Sequence, residues 1–439
     1  MSHAADRLFY GALLLFGVSL GLSKSASNVL LGLLGLTTVV GALQNADFRA
    51  AFVRNRKQPL TAALISLYLV ALFGVLFTEN YAEGLNVANK FLGLLAIYYF
   101  VSFFLQSEPR EEVRSKRAEH LLMAFLAGLG LLNALGLLIF IGAIGSAGFT
   151  LPLVPLNLHH IWYSNINALG LYTVMALLLF SPRAAATRAK VYLSLFLLLS
   201  VACILLSTSR TAWFSMALTL AALTFVVIRR VKVIVCVAAV SALAAAGAYY
   251  FLPVVHERVQ LAAAEIALFS AGEAYTSIGS RFLLWKSALR MFLSHPLLGI
   301  GTGNYVRALT ADIESGLLPD FLREFNQPHN IYLFALATNG IFGFAALLAV
   351  FYRSLRFALP RLRAENTEKL FPFLAMATAV HFMIAGFMDS FFNIQILRFS
   401  FAFLMGVCVR GSLNRLAAPD LGAAPRRAPN DHRTVANQL

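Results

Sequence analysis

The chain has 439 residues, 59% of them hydrophobic and only 13% charged, with a mean hydropathy of +0.75. Soluble domains average about 45–50% apolar and about 25% charged residues, so a string of soluble domains is excluded and an all-α polytopic membrane protein is indicated. A net charge of +15 would point to nucleic acid in a soluble chain, but here it is first a topology signal, because short cytoplasmic loops collect Lys and Arg.

In chain order, apolar runs bounded by charges and turn residues predict twelve spans, at 8–22, 28–43, 59–77, 90–105, 121–145, 162–180, 191–207, 211–228, 233–252, 329–352, 370–388 and 394–410. The first run follows Arg7 and is short like a secretory signal. A second apolar run begins so soon after it that an uncleaved first span is the expectation. The organisation expected is spans one to nine over 1–252, one long outer loop over 253–328, the last three spans over 329–410, and a basic tail over 411–439. That tail is rich in Ala, Pro and Arg and has the composition of a disordered segment. Cys203, Cys236 and Cys408 all fall inside apolar runs, which predicts no disulfide framework.

With the N-terminus inside, 25 of the 35 Lys and Arg and ten of the 20 acids fall on the inner face. The whole charge excess then sits on one side and the outer face is balanced, as the positive-inside rule asks. Shifting the count by one span destroys that asymmetry, so both termini are read as cytoplasmic.

The outer loop of 76 residues exceeds the length at which loops usually carry structure or function. Glu257 to Glu273 is Ala-rich. Ser280 to Ser294 places Phe282, Trp285, Leu289 and Phe292 on one helical stripe, with Arg281, Lys286 and Arg290 on the rest of the surface. Such a helix suits the membrane surface, or caps the outer ends of the spans. Next comes His295-Pro-Leu-Leu-Gly299-Ile-Gly301-Thr-Gly303-Asn304. Its glycines could offer N–H groups to a phosphate, but no strand precedes them and no Lys-Ser/Thr follows, so alone this is a turn.

Two helix starts carry more chemistry. Ser207-Thr208-Ser209-Arg210 opens the eighth span and Gln327-Pro328-His329-Asn330 the tenth, and both spans run from outside to inside. Two positive dipole ends on one face outline an anion site. Arg210 adds a fixed charge suited to phosphate. His329, placed in a first turn, is biased by the same dipole toward the neutral form a general base needs. Against this stands the reading of Arg210 as a snorkelling residue and His329 as an interfacial cap.

Lys90 at the outer start of the fourth span and Arg398 near the outer end of the twelfth are candidates to join an anion pocket, with snorkelling the alternative. His159, His160, Trp162 and Tyr163 read as interfacial residues, and His381 as a satisfied polar residue between helices. No outer cluster of His, Asp, Glu or Cys has metal-ligand spacing, so no metal or other cofactor is expected.

Ser207-Thr-Ser-Arg210-Thr-Ala, Gly279-Ser280-Arg281 with Trp285, the glycine loop 295–304, and His329-Asn330 together resemble the O-antigen ligase and polymerase superfamily of bacterial envelopes. The likeness is detailed over about residues 200–345, and Arg290 followed by Gly301 matches the family's Arg-x10-Gly pattern. The resemblance implies a metal-independent glycosyltransferase of the GT-C type in the bacterial inner membrane, with its active site on the periplasmic side. Its donor would be a glycan on undecaprenyl pyrophosphate, and its acceptor a sugar hydroxyl of the lipid A-core oligosaccharide. In that reading His329 is the base, and Arg210, Arg281 and Arg290, with Lys90 and Arg398, serve the pyrophosphate and lipid carrier. Its partners are these two lipids and the surrounding bilayer, with no nucleic acid.

Polymerases of the superfamily often have two sizeable periplasmic loops, and protein O-oligosaccharyltransferases carry an extra C-terminal region; this sequence has one loop and a short tail. A lipid-linked oligosaccharide flippase is the alternative from another class. Transporters usually show paired halves with ionisable residues or broken helices in the membrane, and these spans hold few interior charges.

Overall fold

A computed structural model describes residues 3–144, 151–156, 158–228, 230–365 and 367–409; the basic tail expected to be disordered lies outside them. Among the described residues the fold is helical throughout, as a chain this apolar requires when its backbone must satisfy itself in lipid. The helices are α1 (His3–Leu22), α2 (Lys24–Gln44), α3 (Ala46–Arg54), α4 (Thr61–Gly74), α5 (Tyr81–Ser107), α6 (Glu111–Phe140), α7 (His160–Phe180) and α8 (Thr187–Leu206). They continue with α9 (Arg210–Val227), α10 (Val231–Phe251), α11 (Pro253–Ser270), α12 (Ser277–Ser294), α13 (Tyr305–Glu314), α14 (Ile331–Arg363), α15 (Leu370–Ala385) and α16 (Gln395–Cys408).

Each of the twelve predicted runs overlaps one of these helices, and the 253–328 segment holds α11, α12 and α13. Among the described residues eight helices can cross a membrane by length and composition: α2, α5 to α10, and α14. A ninth arises if 46–57 and 61–77, bent by 85° relative to each other, count as one broken span. The apolar helices α15 and α16 are shorter than those candidates. From Ile396 to Cys408 every α16 residue is buried, inside a sheath that includes α5, α7 and α15. By contrast α10 has no buried residue and lies at the periphery against α11 and α9.

Two polar clusters inside the bundle are paired across helices, as burial favours. Tyr163, expected at the interface, is instead fully buried and donates to Asn133 Oδ1 at 2.9 Å, while Asn133 Nδ2 donates to Asn167 Oδ1 at 2.8 Å. His381 is satisfied between helices, with its two ring nitrogens 3.0 Å from Tyr172 Oη and 2.9 Å from Asn165 Oδ1.

The glycine loop is a wedge in a broken helix. At Gly340 the α14 backbone turns left-handed, with φ 62° and ψ −155°. The carbonyls freed there accept from the loop: Ile300 N reaches Ala337 O at 2.9 Å and Gly301 N reaches Thr338 O at 3.1 Å, while Ile341 N returns a bond to Pro296 O at 2.9 Å. A Cβ on Gly340 would collide with the Leu297 carbonyl, and one on Gly299 with the α14 backbone at Thr338. The glycines permit backbone-to-backbone approach, and these loop N–H groups are spent on α14 rather than facing an anion.

Candidate functional site

Three helix beginnings converge near the start of α7 and the end of α15. At the start of α9, Ser209 accepts from Ala212 N at 3.4 Å and Arg210 is the first helical residue. Thr208 before it has φ 57°, and Arg258 of α11 donates to its hydroxyl at 2.9 Å. At the start of α12, Thr276 accepts from Gly279 N at 3.0 Å, and Arg281 follows one turn into the helix. Its Nη1 is held by Ser277 Oγ at 2.8 Å and Ser277 O at 3.2 Å.

The third beginning differs from expectation. The capping residue of α14 is Asn330, whose Oδ1 accepts from Tyr332 N and Leu333 N at 3.0 Å each. His329 therefore lies outside the first turn, with φ 50°, and the dipole argument for its state does not apply. What stands beside the ring is Asp389, whose Oδ1 is 3.1 Å from His329 Nδ1. A carboxylate oxygen only accepts, so Nδ1 carries the proton and Nε2 is left as the ring's available acceptor. Asp389 is 1% exposed and is fixed in turn by Ser390 N at 2.7 Å and Gln327 Nε2 at 3.4 Å. The Phe325 ring meets the imidazole edge-on, 5.6 Å between centroids.

These pieces wall one cavity of about 750 Å³, shared by Arg210, Arg258, Arg281, His329 and the pair His159–His160. Trp285, Phe321 and Phe325 add aromatic surface. Two carboxylates, Glu265 and Glu324, also line it, and Glu265 is engaged by Arg210 Nη2 at 3.1 Å. Donors remain unspent: Arg210 Nη1, Arg281 Nε and Trp285 Nε1 are buried with no hydrogen-bond partner among the described residues. Unsatisfied buried donors are costly, and here they belong to two guanidiniums and an indole at one cavity.

Electrostatics follow from the enclosure. Burial draws the Arg281 guanidinium pKa down; Asp389 opposes that shift and Arg210 adds to it. His159 opens onto the cavity yet is hemmed in by protein, and that desolvation holds its imidazole below the ordinary range against the pull of Asp389. Its nearer role is local, since its Nδ1 caps α7 by accepting from Ile161 N at 3.4 Å.

Of the predicted site residues, the structure brings Arg210, Arg281 and His329 together and leaves Arg290, Lys90 and Arg398 off the cavity wall. Arg290 points to the opposite side of α12, where it pairs with Asp312 of α13; Ser287 donates to the same carboxylate at 2.6 Å. Arg290 and Gly301, the two ends of the Arg-x10-Gly pattern, thus fasten α13 and the wedge loop. Lys286 is exposed. Lys90 and Arg398 lie on α5 and α16. Sequence reasoning missed Asp389, Arg258 and Glu265, and set His159 and His160 at the interface. Asp389 did leave a signal: it is the one acid between Glu368 and Asp420, at the end of an apolar run where an ionisable residue needs a reason.

Residues 195–348 match the family described as O-antigen ligase. That segment contains Arg210, Arg281, Arg290 and His329, and ends before Asp389. A stretch of 93 residues is 28% identical to an uncharacterized protein of Haemophilus influenzae, covering 21% of this chain and 23% of that protein.

Proposed function

With residues 195–348 matching the O-antigen ligase family, this chain belongs to the O-antigen ligase/polymerase superfamily of membrane glycosyltransferases, and we propose that it is an O-antigen ligase. It would move a glycan from undecaprenyl pyrophosphate to a sugar hydroxyl of lipid A-core, with the cavity on the periplasmic side of the inner membrane. One observation carries this reading. Arg210 and Arg281 hold unspent donors at the same cavity that receives His329, whose Nδ1 is committed to Asp389.

A pyrophosphate leaving group gains charge as the bond to the anomeric carbon breaks. Preorganised guanidiniums are the chemistry that stabilises it. The acceptor hydroxyl loses its proton to His329 Nε2 as its oxygen bonds to that carbon, and Asp389 steadies the imidazolium so formed. Attack opposite the departing phosphate inverts the anomeric centre. Pyrophosphate leaves on the carrier lipid, and His329 returns its proton to solvent. The aromatic wall of Trp285, Phe321 and Phe325 supplies faces on which sugar rings stack.

The test is a purified-component assay with lipid-linked glycan and rough lipopolysaccharide, comparing wild type with His329→Ala. Transfer by wild type and none by the variant is expected. A normal lipopolysaccharide ladder from His329→Ala would overturn the assignment of the base. Chain extension without an acceptor core would make the protein a polymerase, and neither product would favour transport.

A further inference from the structure

Arg398 and Lys90 belong to no part of the cavity, and their surroundings are unusual for cations. Arg398 lies in the first turn of α16 and is 6% exposed, too buried for a side chain snorkelling to water. Its Nη1 donates to Phe392 O at 2.7 Å, its guanidinium sits 5.3 Å from the Phe399 ring centroid, and its Nε is buried with no partner among the described residues. No carboxylate pairs with it among those residues.

Lys90 comes from α5, the helix packed along α16. A Cβ on Gly93 would sit 3.3 Å from the Phe399 ring, and Lys90 is one turn before Gly93. The ammonium is half-buried and within electrostatic reach of Arg398, with Glu83 two turns away as the offsetting acid. A buried cation without a counter-charge costs several kcal/mol, and a second cation beside it raises that cost.

The geometry also indicates what would relieve it. A planar guanidinium beside a flexible ammonium is phosphate-binding chemistry. Both residues lie on apolar helices at the end of the bundle that holds the cavity. Phe399 is part of the wall of a separate cavity of about 340 Å³, with Ser23, Lys24 and Gln395 contributing its polar atoms. On α5, Leu85 and Leu92, 46% and 41% exposed, share an exposed stripe with Asn86 and Asn89, and Lys90 stands at its edge, one turn from Asn86. That mixed apolar and polar stripe suits the approach of a lipid headgroup. We propose that Lys90 and Arg398 form a second anion site, separate from the 750 Å³ cavity, that binds the phosphate of a membrane-lipid headgroup.

The full chain, purified and placed in phosphatidylcholine discs with or without phosphatidic acid, tests this by the lipid it retains and by its unfolding midpoint. Arg281→Ala serves as the background in which the cavity's own anion response is weakened. Phosphatidic acid is expected to co-purify and to raise the midpoint in wild type and in Arg281→Ala. Arg398→Met should retain it at least about tenfold less, the loss expected for one charge-assisted bond. In phosphatidylcholine alone Arg398→Met should unfold no earlier than wild type, since an unpaired buried charge has been removed. Lys90→Gln, at a half-buried position that tolerates exchange, carries the test if Arg398→Met does not fold. Equal phosphatidic acid retention by wild type and both variants overturns the site. A midpoint rise with inorganic phosphate, and none with phosphatidic acid, keeps the phosphate chemistry but overturns the lipid assignment.

Discussion

The two ends of the helical bundle place their charges differently. At the end bearing the α1 start and the α5–α6 and α7–α8 connections, several charges are paired across helices. Arg117 pairs with Asp6 at 2.6 Å, and Arg183 pairs with Glu119 at 2.8 Å while Ser181 donates to that same carboxylate at 2.9 Å. At the cavity end Arg210 and Arg281 each keep a buried donor without a partner. The first arrangement ties helices together, although Gln106 Nε2 and Arg114 Nε there are also buried without a partner among the described residues. The second differs in gathering two such guanidinium donors on the wall of one cavity, the placement that the proposed anionic ligand would use.

If the cavity end works and the opposite end is scaffold, losses of activity and of stability separate along that line. The largest effect falls on His329→Ala: transfer should drop by about 10²–10⁴, the usual worth of a positioned proton acceptor, with membrane insertion and thermal unfolding unchanged. Arg281→Ala or Arg210→Ala should cost about 10²–10³ in turnover, as for removal of one preorganised charge-stabilising donor, measured with lipid-linked donor in excess. Asp389→Asn keeps the shape but lets the imidazole change tautomer and orientation, and a loss of about 10- to 100-fold is expected.

Opposite in kind is Arg183→Ala, which leaves Glu119 buried without its guanidinium. It should cost about 1–3 kcal/mol of stability, read by chemical denaturation, with unchanged turnover per folded molecule. Smallest is Arg290→Ala. Its partnership with Asp312 is half-exposed, so no more than about 1 kcal/mol is at stake, and activity should fall much less than in Arg281→Ala. Equal losses in these two variants, nine residues apart on one helix, would erase the distinction between the two faces of α12.

Much of this was legible in the chain, and some residues show where legibility stopped. The α9 start could be read because its signal is local: Ser209 caps and Arg210 follows. The α12 stripe of Phe282 and Trp285 could be read for the same reason, since helical periodicity places it. His329 does line the cavity, but its state was read from a helix dipole, whereas the group beside the ring is Asp389. A helix-start pattern said nothing of Asp389, 60 residues later, and one residue of slip in the cap moved the ring out of the first turn. Arg290 misled because a basic residue on an amphipathic helix looks the same whether it faces a ligand or an aspartate on the next helix. Tyr163 misled similarly, since an aromatic beside a helix start resembles an interfacial anchor until Asn133 of α6 is seen across from it.

What the sequence determined by itself was the helical class and the approximate extent of each apolar run, because in lipid a backbone can only satisfy itself locally and apolar length is the requirement for crossing. The concentration of Lys and Arg on alternate connections is equally a property of the linear chain. The tertiary structure alone decided which cations are free and which are spent. It turned a glycine-rich turn into the wedge that fills the α14 break, gave Arg290 to Asp312, and seated Asp389 against His329. Those outcomes depend on partners far apart in the chain, and a donor's availability is set by what folding brings within 3 Å or so of it, which no local pattern encodes.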